Sequence, residues 1–113
     1  MVSLKLKAFY SPYENVNYIV WDEFNELVTD YTILRNGIEL FSGTKDDFMR
    51  PEVFDRDHHT NLFRKLSAHE RAYIDSDIEH FADYSYTAIA KIIGDGGAEW
   101  DRGQSNTITV HTT

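Results

Sequence analysis

Asn36-Gly37 restricts this chain more than any other feature, because it stands between two runs of strand-forming residues, 27–35 and 38–41. Both central residues of a type I′ hairpin turn need positive φ, which Asn and Gly accept most readily. The pair commits the middle of the chain to an antiparallel hairpin. A second hairpin is expected before it. Residues 2–10 alternate, with Val2, Leu4, Leu6, Ala8 and Tyr10 on one side and Ser3, Lys5, Lys7 and Phe9 on the other. That is the pattern of a half-buried strand. Ser11-Pro12-Tyr13-Glu14-Asn15 supplies a turn, and Val16 to Trp21 is rich in β-branched and aromatic side chains. Residues 22–26 read as a loop or a single helical turn.

Beyond the hairpins the pattern changes. Thr44, with Asp47 three residues on, resembles a capping box for a short helix. Pro51 closes that helix by pushing Arg50 out of helical geometry. Val53, Phe54, Leu62, Phe63 and Leu66 suggest another short helix. Ser67-Ala68-His69-Glu70 is a stronger capping box. Behind it Ile74, Ile78, Phe81, Ala82, Ile89, Ile92 and Ile93 recur at helical spacing. The spacing predicts a helix over about residues 68–93, with a kink or a break into two helices at Tyr84–Thr87 and a stop at Gly94. Residues 95–106 read as irregular, and Thr107–His111 as a last strand. Strands first and helices later predict an α+β fold. It would be a single domain over residues 1–113, with an antiparallel sheet of about four to five strands packed against one long helix in the C-terminal half plus short helices.

Composition bounds the function. The chain has 113 residues, 42% of them hydrophobic and 14% aromatic, enough to build one core without staples. Cysteine is absent, which excludes disulfides and thiolate metal sites. The N-terminal residues lack the apolar core of a signal peptide, and no apolar run nears the ~20 residues of a membrane span. A soluble, cytoplasmic protein is expected. Nineteen acids against 11 bases leave a net charge of −8, which disfavours nucleic acid and anionic membrane as direct partners and favours a cationic partner, such as a larger protein with a basic surface, or no partner.

On the expected helix Asp75, Glu79 and Asp83 fall at i, i+4 and i+8, with Asp77 one stripe over. Like charges so placed cost about 0.2–0.5 kcal/mol per pair. The row is therefore a candidate binding face, extended by Asp22, Glu23 and Glu26. The aromatics crowd the first 31 residues and occupy both faces of the first two strands. Tyr13 and Trp21 join the candidate partner-binding set on that ground, and the aromatic sheet offers a surface for homodimerisation.

No catalytic residue, cofactor or metal is assigned. Asp77 and His80, three apart, could share a metal with His58 or His59 in a hydrolase-like site, but nothing in the sequence brings the two segments together. Gly94-Asp95-Gly96-Gly97 follows the expected helix instead of opening one, so it is a connector and not a phosphate loop. In size, charge, lack of cysteine and α+β order the chain resembles the small acidic inhibitors that phages make against host defences, the anti-CRISPR and anti-restriction proteins. That resemblance implies a non-enzymatic protein that mimics nucleic acid and occupies a basic, nucleic-acid-binding surface, in the host cytoplasm if phage-encoded. The alternatives are the metal-dependent hydrolase-like domain on His58, His59, Asp77 and His80, and a dimerising assembly protein.

Overall fold

The computed structural model describes residues 4–22, 27–48 and 70–113. Both expected hairpins form. β1 (Leu6–Ser11) pairs antiparallel with β2 (Val16–Asp22), and β3 (Asp30–Arg35) pairs with β4 (Ile38–Thr44). Asn36 and Gly37 sit at φ +53° and +81°, so both central residues of the turn take the positive values that only such residues accept cheaply. A short 3-10 turn (Lys45–Asp47) follows, with Asp47 accepting a hydrogen bond from the Thr44 amide at 2.8 Å.

The long helix is absent, and with it the α+β class. Its span instead holds β5 (Glu70–Asp75) and β6 (Asp83–Ile93), joined by residues 76–82; β7 (Glu99–Gln104) and β8 (Ile108–His111) complete eight strands among the described residues. The expected helix start at Ser67 lies outside those residues. The reason for the correction is periodicity. Tyr84, Tyr86, Ala88, Ala90 and Ile92 share one face of β6 and all pack in the core, which is a period of two. The isoleucines that made the helical stripe divide between strand faces and the loop. Tyr, Thr and Ile prefer a pleated surface, and that preference prevails once neighbouring strands are available. The segment expected to be irregular, 95–106, likewise contains β7.

The strands form two antiparallel sheets, one ordered β1-β2-β5 and the other β4-β3-β6, with β7 and β8 sharing the far edge of β6. β8 pairs with Asp83–Tyr86 and β7 with Ile89–Ile93. Between the sheets lies a core of Leu6, Ile19, Trp21, Tyr31, Ile33 and Tyr86 with smaller neighbours. Trp21 lies 5.2 Å from both Tyr31 and Phe48, centroid to centroid, tilted against the first ring and edge-on to the second. Ala88 and Ala90 on the facing strand leave room for these rings. β2 is buried on both faces, since Val16, Tyr18 and Val20 form a second cluster with Ala72. This is why aromatics occur on both sides of that strand. The Asn106 side chain bonds the amide and carbonyl of Leu6 at 2.8 and 3.2 Å, standing in for a strand partner at the edge of β1.

Candidate functional site

Register places four chain segments at one end of the sandwich. Ser11 opposes Val16, Arg35 opposes Ile38, Asn17 opposes Asp75, and Asp83 opposes His111. The β1–β2 turn, the β3–β4 turn, the β5–β6 loop and the last residues therefore share this loop end.

A buried polar network anchors it. The Arg35 guanidinium reaches both carboxylate oxygens of Asp75 at 3.1 Å and the Asp77 carbonyl at 2.8 Å. The Tyr86 hydroxyl donates to Asp75 at 2.6 Å and accepts from the Asn17 amide at 2.8 Å. The Asp75 side chain is 2% exposed. Burial, then the Asp75 carboxylate, pushes the Tyr86 phenol far above its usual range. Burial works against the Arg35 charge, yet Asp75 more than offsets it and holds the guanidinium above its ordinary value. Tyr84 lies beneath the same guanidinium, 5.4 Å from ring centroid to Cζ.

The β5–β6 loop is tied down at several points. The Glu79 amide donates to the Tyr84 hydroxyl at 2.8 Å, and the Thr112 hydroxyl donates to the Glu79 carbonyl at 2.7 Å while accepting from the Ala82 amide at 2.8 Å. His80 Nδ1 and the Tyr10 hydroxyl both reach the Thr113 oxygen, at 2.7 and 3.3 Å. Tyr10 also donates to Asn15 in the first turn. The Asn36 amide donates to the Ser85 carbonyl at 2.7 Å, which docks the second turn on β6. At the crest of this fixed loop Phe81 takes φ +56°, a left-handed conformation that costs a bulky residue about 1–2 kcal/mol. Its ring is 89% exposed. Tyr13 (102%) and Ile38 (74%), at the crests of the two hairpins, are the other large apolar side chains presented here.

Charge is divided along the strands. Glu14, Glu39, Asp77, Glu79 and Asp83 are exposed at the loop end. Of the described lysines and arginines only Arg35 is there, bound to Asp75 and Asp77. Lys5, Lys7, Lys45, Arg71, Lys91 and Arg102 all lie toward the opposite end.

The expected acidic row does not exist as a row, because its helix does not. Asp75 is in the buried network, Asp77 and Glu79 are in the loop, and Asp83 opens β6 with His111 hydrogen-bonded to it. Asp22 ends β2 at the opposite end, opposite Glu70. Trp21 is in the core, 1% exposed, whereas Tyr13 is fully exposed. Glu23, Glu26, His58 and His59 lie outside the described residues. Phe81, Ile38 and Arg35 were not singled out from sequence; the Asn-Gly turn was the available signal for Ile38. Among the described residues no three His, Asp or Glu side chains group as metal ligands. Ser85 and Thr109, two positions along the same strand pair from Asp83 and His111, bond each other at 2.9 Å. Among the described residues no helix is long and apolar enough to cross a membrane.

Comparison with family models, curated proteins and solved structures returned no significant match.

Proposed function

We propose that this domain is a binding module that engages a protein partner through its loop end. Tyr13, Ile38 and Phe81 enter apolar depressions on the partner, and Glu14, Asp77, Glu79 and Asp83 meet a basic rim. The observation that carries this reading is the coincidence of the exposed apolar crests with an end of the fold that has acids but no unbound described lysine or arginine. Aromatic anchors within a polar rim are the usual anatomy of an interface. Rigidity adds to the case. A loop held by hydrogen bonds at Asp77, Glu79, Ala82 and His80 loses little entropy on binding. A strained exposed Phe81 is costly for the free protein, and strain of this kind clusters at functional sites.

Capture from cell lysate with immobilised protein tests the reading through two variants. Tyr13→Ser with Phe81→Ser is expected to abolish capture of the partner that wild type retains. Asp77→Asn, Glu79→Gln and Asp83→Asn together are expected to weaken capture at low salt and to flatten its salt dependence, because the screening length shortens to about 3 Å at 1 M salt. A partner held equally by wild type and both variants would refute the assignment of this end.

A further inference from the structure

We propose that the protein also self-associates through the outer edge of β4, which pairs antiparallel with β4 of a second copy about a twofold axis. This inference is argued from the strand edge and not from the loop-end reading, although Ile38 takes part in both. Ile38 to Thr44 pair with β3 alone among the described residues, and Ile38, Glu39, Ser42 and Thr44 are exposed.

The amide directions follow from register. Arg35 opposes Ile38 across the turn, and the Lys45 amide bonds the Thr29 carbonyl at 2.8 Å. Alternation then aims the amides of Gly43 and Phe41 at β3 and those of Ser42 and Thr44 outward. The register shifts between Ile33 and Leu34, where Leu40 is the extra residue. That shift turns Glu39 outward as well. Asp47 takes the Thr44 amide, so the open stretch runs from Glu39 to Ser42.

This stretch is complementary to itself. Set antiparallel with Glu39 of each copy opposite Ser42 of the other, it forms four main-chain hydrogen bonds, and the two bulges face each other. Neither acid meets an acid, which a directly opposed like-charge pair would penalise. Ile38 falls opposite Gly43, where the Asp47 side chain fills the space a side chain would take, so the pairing ends at Glu39 and Ser42. Three of the other edge strands are guarded by charge, the usual protection against pairing, and the fourth, β8, has no Lys, Arg, Asp or Glu but lies against β1. β1 carries Lys7, β5 carries Glu70 and Arg71, and β7 carries Glu99, Asp101 and Arg102. β4 has only Glu39, and no Lys, Arg or Pro. The product joins two copies of one sheet edge to edge, with the two loop ends pointing in opposite directions.

Sedimentation of the intact protein across a concentration series is expected to show a weak monomer–dimer equilibrium. Glu39→Pro deletes one outward amide per copy, and the loss of two hydrogen bonds is expected to weaken the dimer more than about tenfold. Because proline next to the hairpin turn can disturb folding, a second test reads the register directly. The chain has no cysteine, so Glu39→Cys and Ser42→Cys each introduce a single thiol. Oxidising the mixture is expected to cross-link the two variants to each other. Either variant alone holds its thiols about 10 Å apart in the dimer, beyond the ~7 Å limit for a bridge. A wild-type protein that stays monomeric at high micromolar concentration, or cross-linking no greater in the mixture than in the separate variants, would overturn the proposal.

Discussion

Replacing Tyr86 with Phe removes one oxygen atom from the centre of the Asn17–Tyr86–Asp75–Arg35 network. The hydroxyl is the donor to Asp75 and the acceptor for the Asn17 amide. Asn17 is fully buried, and its Oδ1 already has no partner among the described residues. Without the hydroxyl its amide nitrogen is orphaned too. A buried polar group left unsatisfied costs about 1–3 kcal/mol, and a hydrogen bond to a charged group contributes about 1.5–3 kcal/mol. Asp75 keeps Arg35 and the Asp77 amide, so the second loss is partial. The expected destabilisation is about 2–4 kcal/mol, read from the urea midpoint at unchanged slope. Asn17→Val provides the control. Alone it removes a group that is only half satisfied, so its cost should stay within about 1 kcal/mol; in the Tyr86→Phe background it should recover about 1–2 kcal/mol, since two apolar groups replace a broken polar pair. The coupling comes from the double-mutant cycle. A Tyr86→Phe cost below about 0.5 kcal/mol, or strict additivity of the two changes, would show that water satisfies these groups and refute the reasoning.

Phe81→Gly should stabilise the free protein by up to about 1 kcal/mol, because relief of a left-handed bulky residue exceeds the added chain entropy of glycine. The same variant should lose the partner; a fall in the urea midpoint would mean that the ring packs on the fold and is not held out for binding. Burial raises the phenols of Tyr18, Tyr73 and Tyr86, with Glu14 adding at Tyr18 and Asp75 at the other two. A folded-state value above the unfolded one contributes stability in full below about pH 10 and loses it as pH rises further. Ultraviolet titration should therefore show Tyr18 and Tyr86, whose phenols are pushed furthest, ionising only as the circular dichroism of the fold disappears. Ionisation of all seven tyrosines with the fold intact would contradict their burial.

The hairpins were legible because their causes are local. Asn36-Gly37 carries its turn in its own backbone preferences, and the alternation of Leu4, Leu6, Ala8 and Tyr10 is the inside and outside of a strand written directly. Residues 70–93 were misleading because apolar side chains at i, i+4 and i+8 satisfy a helix pattern while the alternate residues of β6 satisfy a strand pattern. A single segment cannot arbitrate between them. The choice is made by β3, β7 and β8, which offer hydrogen bonds on both sides of β6.

The candidate site depended even more on the folded chain. Asp75, Asp77, Glu79 and Asp83 look equivalent in sequence, yet Arg35 and Tyr86 draw Asp75 into the interior while the other three remain in water. Tyr13, Ile38 and Phe81 are ordinary turn neighbours until strand order brings their three turns to one end. The sequence alone determined the net charge, the absence of cysteine and the places where the backbone must turn, since each is a property of single residues or near neighbours. Tertiary structure decided which acids are structural, which aromatics are exposed and which edge stays open, because burial and strand pairing are set by residues far apart along the chain.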